Sequence, residues 1–360
     1  MRAVYTTLLI LFAGSGLFAQ QKNDCGTKDP LRAIKPDNER ARIMATETSF
    51  PLLMKVFVHV IADDSGNNVA AGDSSAMRQM ENMRQFFAAH NICFILAGYE
   101  QINNTDLNNH NVDTESSELL PFLIPGFMNI FIHKSLSGND GNLNGNAYNI
   151  PNFFLSVVGS AIQSLTNLST TTHEMGHCFG LYHTFRSTNN GNTTENVARS
   201  GTCKNCEDEG DLLCDTPADR EVDETVISQT NCVYTGNMVD DCNVPLQMAP
   251  TNIMTYGRRS CRNNFTTGQG IRATSFILST SYLSDAIAPD VLNIGFNVNV
   301  SSGRFFSLAR NSVTINTTSF TISGSALANM SSAVVTLNPG VTLSPSGNGY
   351  THIRINGLCQ

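Results

Sequence analysis

The stretch from His173 to His183, HEMGHCFGLYH, constrains this chain more than any other. Histidines at positions i and i+4 fall one turn apart on the same face of a helix, so both imidazoles can reach one ion. Gly180 lets that helix end in a left-handed conformation closed to most residues. The chain then turns back and delivers His183 as a third ligand. Three protein ligands leave one position open, the mark of a catalytic rather than a structural zinc site. Glu174, beside the first ligand, is placed to act as general base on an attacking water.

A second element follows downstream. TNIMTYG, Thr251 to Gly257, puts Met254 and Tyr256 in a tight segment. HExxHxxGxxH followed by such a turn resembles the metzincin metalloproteases. HEMGHCFGLYHTF, then GDLLCDTPAD, then NIMTYGRRSCRNNFTTGQGIRA narrows the resemblance to the pappalysin, or cytophagalysin, family over roughly residues 50–285.

The resemblance implies an α+β fold: a mixed twisted sheet with two main helices and zinc in the cleft between subdomains. It implies Met254 as an apolar floor under the metal and Tyr256 as a group stabilising the tetrahedral oxyanion. Four cysteines alone leave three pairings open; the resemblance implies Cys214–Cys242 and Cys232–Cys261. It also implies structural calcium near the acidic loop of Asp208, Asp211 and Asp215, although the spacing matches no dedicated calcium loop and a solvated acidic loop is the alternative. Related proenzymes use a cysteine such as Cys25, in DCGT, to occupy the open zinc position; a disulfide from Cys25 to Cys359 is the alternative. Family members that prefer basic residues carry an aspartate at the position of Ser260. Here Arg258 and Arg259 precede that serine, so the basic preference is not expected.

The rest of the chain divides around this centre. Arg2 and the apolar run at Leu8–Phe12 read as a signal peptide over residues 1–19. Residues 20–49 read as a propeptide rather than part of a core, with Arg40 and Arg42 as basic trimming sites. Residues 50–285 form the protease domain. Strands are expected at Leu52–Ile61, Ile92–Gly98 and Met128–His133, with an edge strand at Ala147–Phe154, and helices at Asp73–His90 and Thr170–Phe179. The segment after the zinc helix reads as irregular as far as Asp285. Residues 286–360 alternate apolar with Ser, Thr or Asn, an all-β appendage. It is read as a surface-attachment, sorting or targeting module of stacked strands, or as a sandwich that extends the protease.

Export makes disulfides the default for the 10 cysteines. A local Cys203–Cys206 bridge is expected, with Cys93 and Cys178 as buried thiols. His59, His90, His110, His133 and His352 read as structural or solvated. A formal net charge of −8 argues against nucleic-acid partners, and no later stretch is apolar enough to span a membrane. The expected activity is that of a secreted zinc endopeptidase acting on proteins or peptides. The alternative is a secreted adhesion protein built on a silent protease scaffold.

Overall fold

A computed structural model of the chain describes residues 25–139, 141–187, 193–221 and 224–355. The signal-peptide expectation for residues 1–19 lies outside the described residues. Among these residues no helix is long and apolar enough to cross a membrane.

The central sheet contains β1 (Leu52–Ala62), β2 (Ile92–Asn103), β3 (Met128–His133), β4 (Gly145–Ala147) and β5 (Phe154–Val158), in the order β2-β1-β3-β5-β4. All neighbours are parallel except β4, which runs antiparallel to β5 at the edge. β1 is buried almost throughout, because both its faces are covered. That explains its nearly continuous apolar run, where a half-exposed strand would alternate.

Among the described residues, the helices of nine residues or more are α1 (Asn38–Glu47), α2 (Asp73–Phe87), α3 (Thr170–Cys178) and α4 (Thr267–Ser279). Met54, Val56, Val58 and Val60 of β1 share one core with Met80, Met83 and Phe87 of α2 and Phe276 and Ile277 of α4. Met83 and Phe87, four apart, meet that core on one face, as helical periodicity requires. The α2 helix tightens into a short 3-10 turn at Ala88–His90 and stops at Asn91, whose φ is 56°.

Three expectations need correcting here. The stretch Ala147–Phe154 is not a continuous edge strand. Tyr148–Phe153 turns between β4 and β5, and Pro151 brings no N–H to a ladder. The segment beyond α3 is not irregular as far as Asp285, for α4 lies within it. Thr266 and Gln269 cap that helix reciprocally, side chain to backbone, as a capping box. Residues 25–49 are not loose either: Ala41 of α1 belongs to the main core, with Ile34, Met44 and Ala45 packed against it.

The disulfides also differ. Cys203 pairs with Cys242, Cys206 with Cys214, and Cys232 with Cys261. The expected Cys214–Cys242 bridge is absent because the tight turn through Gly210 brings Cys214 within 5.0 Å of Cys206, Cα to Cα. Cys203 is then left for Cys242, so no Cys203–Cys206 bridge forms. Cys93 is disulfide-bonded rather than a free thiol. Cys178 is a buried thiol and Cys25 is free; Cys359, its alternative partner, lies outside the described residues.

The C-terminal region is strand-rich as expected, and its architecture is a parallel stack. Its strands are β6 (Val291–Ile294), β7 (Val298–Val300), β8 (Arg304–Leu308), β9 (Ser312–Ile315), β10 (Phe320–Gly324), β11 (Leu327–Ser332), β12 (Val334–Leu337), β13 (Val341–Pro345) and β14 (Tyr350–Ile355). The chain winds through three parallel sheets, β6-β9-β12, β7-β10-β13 and β8-β11-β14. Val291, Ser312 and Val334 stack in register, as do Val298, Phe320 and Val341. Ile294, Ile315, Phe320, Ile322 and Met330 fill the interior.

Candidate active site

α3 carries the first two histidines on one face, and Gly180, at φ +85°, reverses the chain to bring in His183. The three Nε2 atoms converge. His177 lies 3.1 Å from His173 and 3.2 Å from His183, and His173 lies 3.3 Å from His183. Cys25 Sγ stands 3.6 Å from His177 Nε2. All four ligand atoms lie within 4.8 Å of one another. Tetrahedral zinc with bonds of ordinary length separates two histidine nitrogens by about 3.4 Å, and a nitrogen from a thiolate by about 3.6 Å. The donor set and its spacing therefore fit zinc.

Each imidazole is oriented through its other nitrogen. His173 Nδ1 lies 2.7 Å from the Ile253 carbonyl, and His177 Nδ1 lies 2.8 Å from that of Leu181. His183 Nδ1 instead meets the Asp29 carboxylate at 2.7 Å, and the His183 amide donates to the same group at 3.1 Å. These contacts turn the Nε2 lone pairs toward the shared point. Burial, with the neighbouring imidazoles, pushes His173 well below its ordinary pKa and His177 down to about 3. Both are neutral and ready to ligate.

Glu174 is buried, with its carboxyl pushed up to about 7 by that burial. Thr27 Oγ1 donates to its Oε2 at 2.9 Å and Cys25 Sγ at 3.4 Å. Its side chain also lies close against β4, where a Cβ on Gly145 would come within 2.6 Å of Glu174 Cγ. Gly145 is therefore needed at the sheet edge facing Glu174.

Below the histidines, Met254 is fully buried. Its sulfur stands 2.7 Å from where a Cβ on Gly176 would be, so the glycine inside HEMGH admits the methionine under the helix. Thr184 N donates to Met254 O at 3.2 Å, and Thr255 Oγ1 donates to buried Asp219 at 2.8 Å. Thr184 Oγ1 donates to the same carboxylate, so Asp219 ties the third histidine's neighbour to the methionine turn. Tyr256 OH donates to Cys25 O at 3.1 Å.

The structure thus brings together His173, Glu174, His177, His183, Met254, Tyr256 and Cys25. It does not bring Asp208, Asp211 and Asp215 together. Asp208 is exposed. Asp215 accepts from Gly268 N at 2.6 Å at the start of α4, and Asp211 accepts from Gln269 at 3.3 Å. Ser260 is exposed; Arg258 beside it pairs with Glu224 at 3.1 Å, while Arg262 is buried. Sequence reasoning missed Thr27, Asp29 and Asp219. The last stood in the GDLLCDTPAD string without a role; the first two follow Cys25 at alternate positions, the spacing of an extended chain facing one surface.

No family model matches the sequence. Over 249 residues the chain is 25% identical to an extracellular metalloprotease of Arthroderma benhamiae, covering 65% of this chain and 74% of that protein. It is 28% identical over 285 residues to an extracellular metalloprotease of Neurospora crassa, covering 70% and 87%. Among solved structures, mirolysin in complex with compound 9 aligns with a TM-score of 0.50 and 19% identity, over 66% of this chain and 97% of that one. The mirolysin likeness is one of fold. With the convergent histidines, these relatives make the chain a metalloprotease, a hydrolase of peptide bonds.

Proposed function

We propose that this chain is a secreted zinc endopeptidase of the pappalysin branch of the metzincins, held latent by its own residues 25–49. The convergence of His173, His177 and His183 beside buried Glu174 carries the reading. A zinc ion held there would supply Lewis acidity toward the scissile carbonyl and the attacking water. Glu174 takes the proton from that water and passes it to the leaving amine. Its raised pKa suits a group that must both accept and return a proton near neutral pH. The Tyr256 hydroxyl, once released from Cys25 O, is free to donate to the developing oxyanion.

β4 supplies the substrate platform. Its Gly145 carbonyl accepts from Gly26 N at 2.9 Å, and Ala147 N donates to Thr27 Oγ1 at 2.6 Å. An extended substrate adding to this sheet edge needs those same groups. Residues 25–27 therefore block the platform as well as the open ligand position. Arg186 and Arg272 hold the next stretch through the carbonyls of Pro30, Leu31 and Ile34, at 3.1, 3.0 and 3.0 Å. Export fits relatives that are named extracellular.

Specificity is read from what borders the cleft. Ser260 offers no carboxylate, and Arg262 carries positive charge close enough to Glu174 and His173 to act on both. The residue after the scissile bond is then apolar or acidic, not basic. Protein trimmed of residues 20–49 is expected to carry one zinc per chain and to cut a peptide library without basic preference. Zinc binding with no cleavage across the library would reduce the molecule to a binding scaffold.

A further inference from the structure

Two of the three metal-facing imidazoles are oriented by the protease body, through the Ile253 and Leu181 carbonyls. The third is oriented from outside it. Asp29 belongs to the latency segment, yet its Oδ2 lies 2.7 Å from His183 Nδ1 and its Oδ1 takes the His183 amide at 3.1 Å. The contact is well shielded, with the Asp29 side chain 12% exposed and that of His183 3%.

The placement follows from chain geometry. Alternate residues of an extended segment point to the same side. Cys25, Thr27 and Asp29 turn inward, to the metal point, Glu174 and His183. Lys28, between them, turns outward to Asp113 at 3.1 Å on the surface. Gly26 is fixed by crowding, since a Cβ there would meet Leu143 at 2.5 Å. One short run thus touches the open ligand position, the general base and the back of the third histidine.

We infer that Asp29 is a positioning residue for the metal: the latency segment completes the outer shell of His183, so it tightens metal binding as well as blocking the site. A carboxylate on the far nitrogen fixes the imidazole's tautomer and orientation and raises its basicity as a ligand. Removing residues 20–49 during maturation then strips one of three orienting groups. The latent form is the better metal holder, and the segment serves to load the site before it is exposed. This inference rests on the zinc reading above.

The test is zinc affinity of the full-length chain, measured by competition with a chelator of known affinity, together with the absorption of the cobalt-substituted protein. Asp29→Ala is expected to weaken zinc about 10- to 100-fold, the usual effect of losing such a partner. The cobalt–thiolate band from Cys25 should persist, showing the segment still seated. Asp29→Asn, which keeps an acceptor without the charge, should fall between, and it decides the matter if the alanine variant does not fold. Lys28→Ala should bind as wild type does. Affinity unchanged within about twofold in both Asp29 variants would overturn the inference, as would loss of the thiolate band together with affinity, which would mean seating rather than positioning. A wild-type chain that bound no metal would instead defeat the zinc reading.

Discussion

Gly176 shows how narrow the tolerances are at single residues. Its missing side chain lets Met254 approach the helix, and a Cβ there would overlap the sulfur. Cys25 works at the same scale. Burial, and then the charge of Glu174, push its thiol well above its ordinary pKa, so only a cation at the histidines would make it a thiolate. Cys25→Ala should remove one anchor of the segment, so that it leaves β4 part of the time, and open the fourth ligand position. We expect measurable peptide cleavage by the untrimmed variant, where the untrimmed wild type shows essentially none. A variant as silent as wild type would place latency in steric cover instead. The histidines and Glu174 were legible in the sequence because they sit in a short local pattern with a fixed helical geometry, and Cys25 only through the family resemblance. Thr27 and Asp29 were not, since their partners lie about 150 residues away and only the fold joins them.

At the scale of elements, α4 does more than fill the core. Its capping residue Gln269 also accepts from Asn252 at 2.8 Å, and Asn252 in turn accepts from Met254 N at 2.8 Å. The helix start and the methionine turn are thus one hydrogen-bonded unit. The capping pattern Thr266-x-x-Gln269 was readable, but the cysteines around it pointed to loop. The disulfide pairing was not readable, because it depends on where turns place each Cα. The stretch just before those bridges carries a testable charge. Burial first, and the charge of Asp211 second, push Glu195 from 4.5 up to about 9. Between those values the folded state binds a proton that the unfolded state lacks. Stability is then full below about pH 4.5 and falls as pH rises toward 9. Thermal melts should show that decline, and Glu195→Gln should remove it. A wild-type melting temperature that stayed flat from about pH 5 to about pH 9 would contradict it.

Over the whole molecule, the C-terminal stack is a layer of the fold. Its Phe306 and Leu308 pack with Leu53, Phe57, Ile95 and Phe127 on the sheet face away from the helices. Arg304 pairs with Glu100 of β2, and Arg310 lies 3.3 Å from Asp290. A β-rich tail was legible from its alternation. Its winding was not, because the register partners recur one full coil apart and the repeat shows in spacing more than in identity. Such docking makes the stack a support for the protease. A chain ending at Pro289 would bare Leu53, Phe57 and Phe127, each large side chain being worth about 1.5–3 kcal/mol when fully buried. That chain should melt several degrees lower and bind a hydrophobic dye. Melting and dye binding equal to the full chain would make the tail a mere appendage.

The central claim is that Glu174 drives peptide hydrolysis at a histidine-held zinc. The most direct measurement is casein cleavage by chain trimmed of residues 20–49, beside Glu174→Ala, with zinc content determined for both. The account predicts equal zinc in the two proteins and cleavage at least about 100-fold slower in the variant. In wild type, cleavage should vanish on chelation and return with zinc. Cleavage by Glu174→Ala at the wild-type rate would contradict it.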